Sequence, residues 1–90
     1  MRVALICTDK PDSLPVRLEN RSAHLAHIEA SGVVEMAGPF LNEAGQMTGS
    51  LVILNVDSLA QARAWAAADP YAVAGLFSAV TITEWKKVVG

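Results

Sequence analysis

Two short stretches, Arg2 to Thr8 (Arg-Val-Ala-Leu-Ile-Cys-Thr) and Ser50 to Val56 (Ser-Leu-Val-Ile-Leu-Asn-Val), are apolar at almost every position. Runs of this length read as strands, and strands without polar alternation are covered on both faces. A chain of 90 residues has room for one domain, and such a domain buries roughly 60–65% of the surface of its unfolded chain. The two runs therefore belong at the centre of a single sheet, and the remaining segments must flank and cover them.

Those segments read in order. Asp9-Lys10-Pro11-Asp12 ends the first strand in a turn. From Ser13 to Ser31 the period changes to that of a helix: Leu14, Leu18, Leu25 and Ile28 fall within about 80° of arc at ~100° per residue, and Gly32 supplies the stop. Val33 to Phe40 is a second strand carrying Gly38-Pro39, and a proline has no N–H for a ladder, so this strand belongs at an edge. Asn42-Glu43-Ala44-Gly45-Gln46 is a hairpin turn leading into the second apolar run. Ser58 and Gln61 have capping-box spacing and open an alanine-rich helix from Leu59 to about Ala68. Pro70 stops it, and Asp69 to Gly75 is a loop or a short helical turn. Ser78 to Trp85 alternates, with Val80 and Ile82 on one face, as a second edge strand would.

The element order is thus βαββαβ, an α+β domain with a four-stranded antiparallel sheet in the spatial order 4-1-3-2 and right-handed crossovers. Both helices lie on one face, so nothing in the chain covers the apolar residues of the central strands on the other. A second copy's sheet is the expected cover, giving a homodimer through the sheet face. The composition agrees: 52% of residues are hydrophobic and the mean hydropathy is +0.34, more than one small core needs.

Function is constrained mostly by exclusion. A net charge of −2 without a Lys/Arg cluster argues against nucleic acid, which is held through phosphate contacts from basic patches. No apolar run approaches the ~18 residues of a membrane span, and the opening MRVALICTDK lacks the features of a signal peptide, so a cytoplasmic location is expected. Cys7 lies in a core strand without basic neighbours and reads as a packing residue. No Walker, Rossmann or triad motif is present, and no cofactor is expected.

Two residues stand out chemically. His24 lies within about 60° of Arg17 and Arg21 on the helical wheel, beside the leucine arc. An imidazole at the edge of a core is half-desolvated yet able to reach a cleft, which suits acid–base work; it also suits a histidine that merely bonds a backbone carbonyl. Asp69 is a carboxylate at a helix C-terminus, where the macrodipole disfavours it, and this suggests a specific partner. His27 follows His24 by three residues, but no Cys, Asp or Glu stands at the spacing of a defined site, so no metal is expected.

Arg17, Arg21, His24 and Leu25 in RLENRSAHLAHI, Gly38-Pro39-Phe40, Asp69-Pro70-Tyr71 with Gly75-Leu76-Phe77, and Val80-Thr81-Ile82 before Trp85 together resemble the YCII-related family of small bacterial proteins, over essentially the whole chain. The resemblance implies a ferredoxin-like fold assembled as a dimeric α+β barrel, and a His/Asp pair proposed to be catalytic, which falls here on His24 and Asp69. In that pair Asp69 fixes the imidazole tautomer while the other ring nitrogen moves a substrate proton. Arg17 or Arg21 would hold an anionic oxygen, Pro39, Phe40, Tyr71 and Phe77 would wall the pocket, and Gly38 would let backbone approach the ligand. One member of the family is a dehydrochlorinase acting on a chlorinated hydroxyquinol. The expected function is a cofactor-independent, lyase-like reaction on a small, cyclic, oxygenated substrate. The alternatives are a binding module that holds a small ligand without turnover and an interaction subunit working through its sheet face.

Overall fold

A computed structural model describes residues 1–90. The elements run β1 (Arg2–Asp9), α1 (Leu14–Ser31), β2 (Val34–Leu41), β3 (Met47–Asn55), α2 (Leu59–Ala68), α3 (Pro70–Val73) and β4 (Phe77–Trp85). The four strands form one antiparallel sheet in the order β2-β3-β1-β4, which is the expected 4-1-3-2 read from the other edge. The proline-bearing β2 and the alternating β4 take the two edges. The segment after Pro70 is a four-residue helix, α3. No helix is long and apolar enough to cross a membrane.

Register decides which side chains meet. On β1, Val3, Leu5 and Cys7 stand opposite Leu54, Val52 and Ser50 of β3, and all six are buried. Ala62 and Trp65 of α2 close over this layer to complete the core. Trp65 is tied across to α1 by its Nε1–H, which donates to Ser31 Oγ at 2.9 Å. The start of α2 is capped as its sequence indicates, with Ser58 Oγ accepting from the Gln61 N–H at 3.1 Å. Gln61 does not complete the reciprocal box: its Oε1 accepts from the Asp57 N–H at 2.9 Å, one residue further out. Gly49 has to be a glycine, because a Cβ there would collide with the carbonyl oxygen of Cys7 on the neighbouring strand.

One expectation fails. Leu18 and Leu25, placed on the core-facing arc of α1, are 53% and 51% exposed, whereas Arg17 and His24 on the same helix are 2% and 7% exposed. The helix is rolled so that a polar stripe faces inward. Burying a charged group is tolerated only when it is paired, and the two partners, Asp9 and Asp69, come from distant segments. A wheel that scores apolar residues has no access to those pairings.

The other face of the sheet carries Ile6 of β1, Met36 and Phe40 of β2 and Trp85 of β4, all of them exposed. An exposed ion pair crosses from β1 to β2, with Arg2 Nη2 2.9 Å from Glu35 Oε1, at the point where the β2–β3 register shifts.

Candidate functional site

The inward stripe of α1 meets three other elements. Arg17, in the first turns of the helix, reaches the end of β1: its Nε–H and an Nη2–H donate to Asp9 Oδ2 and Oδ1, each at 2.8 Å. The same Nη2 donates to Ser50 Oγ of β3 at 2.9 Å. Burial works against the Arg17 charge, but the hydrogen bonds and charge of Asp9 outweigh it and hold the guanidinium pKa above its ordinary value. The guanidinium carbon lies 4.7 Å from the centroid of the Tyr71 ring, a cation–π distance.

Tyr71 organises the rest. Its ring stacks on the imidazole of His24 with centroids 3.9 Å apart and planes 16° from parallel. Phe77 supports it from the side, edge to face at 6.1 Å. Burial raises the Tyr71 phenol pKa against the opposing pull of Arg17, so the hydroxyl stays neutral well into alkaline solution.

His24 Nδ1 is 2.8 Å from Asp69 Oδ1, with both side chains buried. The same carboxylate oxygen accepts the Tyr71 N–H at 3.0 Å, so Asp69 ends α2 and caps α3 at once. Its position is explained by that cap and by His24, and the macrodipole of α2 does not have to be overcome without return. A carboxylate oxygen that already receives the Tyr71 N–H acts as an acceptor, so Nδ1 is the donating nitrogen of this pair, and in that tautomer an uncharged ring has its lone pair on Nε2. Nε2 has no hydrogen-bond partner in the protein, and no buried side-chain nitrogen or oxygen is unpaired. Nε2 is therefore open to the cleft that His24 lines.

That cleft, of 160 Å³, lies between α1 and the β2–β3 hairpin and is lined by Arg17, Arg21, His24, Ser50 and Tyr71 together with Leu25, Ile28, Ala37, Pro39, Met47 and Val52. The leucine side of α1 that was expected in the core thus supplies part of its wall. A larger, more open depression of 580 Å³ adjoins it at Met47, formed by the Asp9–Pro15 turn and the hairpin tip; it contains no histidine, and the Asp9 carboxylate at its edge is occupied by Arg17.

Of the residues singled out from sequence, His24, Asp69, Arg17 and Tyr71 come together in one buried cluster, with Arg21 and Pro39 at the cleft's rim and wall. Phe40 does not join them. It pairs with Gly49 and projects from the opposite face, beside Met36 and Leu51, because neighbouring strand residues point to alternate faces. Phe77 packs behind Tyr71 and does not line the cleft. Gly38 contributes backbone to the cleft, and a Cβ there would meet no protein atom within 4 Å. His27 is accounted for structurally, with Nε2 3.1 Å from the Trp65 carbonyl oxygen. Cys7 is buried and its thiol is pushed up to about 12, first by burial and then by the Asp69 charge, which removes it as a nucleophile.

Two members of the cluster, Asp9 and Ser50, were not evident from sequence. Asp9 reads as a turn former and Ser50 as the first residue of an apolar strand. Only their convergence on Arg17 distinguishes them.

Fold and site together define a class: small α+β domains of ferredoxin-like topology with a His–Asp pair set over a cleft on the helix face. Residues 1–86 match the YCII-related domain, and the chain belongs to that family. Protein YciI of Escherichia coli O6:H1 is 41% identical over 97 aligned positions, covering 98% of this chain and 99% of the relative. An uncharacterized protein of Haemophilus influenzae is 37% identical over 98 positions with the same coverage, 98% and 99%. Among solved structures, 5-chloro-2-hydroxyhydroquinone dehydrochlorinase from Burkholderia phenoliruptrix AC1100, in complex with 2,5-dihydroxybenzoquinone, superposes with a TM-score of 0.87 at 34% identity, covering 96% of this chain and 94% of that one. An antibiotic biosynthesis monooxygenase, at 10% identity and a TM-score of 0.56 over 96% of this chain and 98% of that one, shares the fold alone.

Proposed function

We propose that this protein is a cofactor-independent enzyme that moves a proton on a small, cyclic, oxygenated substrate, with His24 Nε2 as the base and Asp69 as the group that orients it. The observation that carries this reading is the asymmetry of the imidazole: one nitrogen is committed to a buried carboxylate and the other is unpaired at a cleft. A base placed in this way is held in one tautomer and one orientation. The cleft volume of 160 Å³ lies well below the roughly 300–1,000 Å³ of sites for drug-sized ligands, so it suits a single substituted ring. By analogy with the dehydrochlorinase neighbour, the reaction is loss of hydrogen halide. The substrate proton passes to Nε2, the electron pair it leaves becomes a new π bond, and the halide departs with the pair of its bond to carbon.

The active form is a homodimer whose exposed sheet faces, bearing Ile6, Met36, Phe40 and Trp85, cover one another. We place the reaction in the cytoplasm, with a small molecule as the partner and no nucleic acid or membrane.

Turnover and halide release from a panel of halogenated and hydroxylated aromatics test the enzyme. Activity should be abolished in His24→Ala and fall in Asp69→Asn, with both variants folded. Binding of panel members without turnover would replace the enzyme with a binding module. Sedimentation should give about 19 kDa, twice the chain's 9.5 kDa; a monomer alone at low micromolar concentration would refute the dimer.

A further inference from the structure

Ser50 is buried, lines the cleft and accepts one hydrogen bond, from Arg17 Nη2 at 2.9 Å. A serine hydroxyl also has a proton to donate, and that of Ser50 finds no acceptor anywhere in the protein. Leaving a desolvated donor idle is unfavourable, so a cleft-lining donor without a protein partner is available to a ligand. Arg17 has donors to spare as well. Asp9 takes its Nε–H and one Nη2–H and Ser50 takes the other Nη2–H, so neither engages Nη1, whose protons are shared at most with the Tyr71 hydroxyl. No buried side-chain nitrogen is unpaired, so the small part of Arg17 that remains accessible includes Nη1, and Arg17 lines the cleft.

We propose that Ser50 Oγ–H and Arg17 Nη1 together form a seat for an oxygen anion attached to the substrate ring, a phenolate or enolate. This rests on the reading of the cleft as a substrate site and specifies which substrates it takes. The Arg17 charge is already balanced by Asp9, with which it makes a buried ion pair. The seat therefore offers directed N–H and O–H dipoles with little net charge, which suits the single, delocalised charge of a phenolate better than a phosphate dianion. Arg17 polarises the serine hydroxyl by donating to it, strengthening the bond that Ser50 makes in turn. Ser50 then serves as a specificity determinant: rings bearing an ionisable hydroxyl are held, and their ethers are not.

The test is binding of 2,5-dihydroxybenzoquinone to the full chain, measured by calorimetry for wild type, Ser50→Ala and Ser50→Thr, with 1,4-dimethoxybenzene as a ring lacking an ionisable oxygen. Ser50→Ala should weaken 2,5-dihydroxybenzoquinone by about 10- to 150-fold, the usual worth of a charge-assisted hydrogen bond. Its weak affinity for the dimethoxy ring should be unchanged. Ser50→Thr, which keeps the hydroxyl, should restore most of the loss, and inorganic phosphate should not compete. A merely structural serine would lower both affinities together, and that result overturns the seat. Equal binding of 2,5-dihydroxybenzoquinone by wild type and Ser50→Ala, or no binding to wild type at millimolar concentration, also overturns it. In either case the acid–base role of His24 is judged separately, by its own turnover panel.

Discussion

Asp9→Ala removes the carboxylate that grips Arg17 and leaves a guanidinium 2% exposed without its counter-ion. Breaking a buried pair by deleting one partner typically costs about 3–5 kcal/mol, because the remaining charge stays desolvated. A 90-residue domain has roughly 5–13 kcal/mol of stability at about 0.05–0.15 kcal/mol per residue, so the substitution consumes a large share of it. With a urea m-value near 1.5 kcal/mol/M, the unfolding midpoint should fall by about 2–3 M. Arg17→Met should cost a similar amount, since it strands the Asp9 carboxylate and removes the donor to Ser50. The double variant Asp9→Val/Arg17→Met strands neither charge. It should be more stable than the sum of the single losses indicates, with a coupling of at least about 2 kcal/mol in the double-mutant cycle. Single losses below about 1 kcal/mol, or effects that add within about 0.5 kcal/mol, would show that the pair is solvated and that α1 is not rolled as described.

Three further outcomes are expected. Leu18→Gln should change stability by no more than about 0.5 kcal/mol while Leu5→Ala costs about 2–5 kcal/mol, and a core-sized loss at Leu18 would return the leucine arc to the interior. Gly49→Ala should cost at least about 2 kcal/mol through its collision with Cys7, whereas Gly38→Ala stays within about 0.5 kcal/mol, both read from thermal midpoints. The Cys7 thiol, raised from 9.0 to about 12, keeps its proton in the native state after the unfolded chain has lost it. Its contribution is complete below pH 9 and is lost as pH rises towards 12, by up to about 1.4 kcal/mol per pH unit; urea midpoints should fall over this window and fall less in Cys7→Ala.

What the sequence discloses depends on how local the cause is. The strand centres, the edge position of β2, the hairpin at Asn42–Gln46 and the stop at Gly32 follow from apolar periodicity, a proline and a glycine, and each appears in the structure as read. The orientation of α1 does not, because it is fixed by Asp9 and Asp69, which lie 8 and 45 residues from their partners Arg17 and His24. Periodicity points to Leu18 and Leu25, and charge pairing turns them outward. In the same way His24 and Asp69 were recognisable as chemical candidates, but Ser50 looks like any polar residue at the mouth of an apolar strand until Arg17 is seen bonded to it. Phe40 shows the opposite error: the family resemblance set it beside Pro39 in the pocket wall, and strand alternation sends the two side chains to different faces.

Asp69 Oδ1 receives both His24 Nδ1 and the Tyr71 amide, which ties the orientation of the imidazole to the integrity of one four-residue turn. Whenever α3 frays, the imidazole loses its anchor and its stacking partner in the same event. Amide hydrogen exchange at Tyr71 therefore reports the fraction of molecules in which His24 is unmoored, with no substrate present. An element too short to matter to the architecture thus acts as a latch on the His24 ring. Loop exchange between relatives at residues 69–75 would transplant that latch together with its carboxylate.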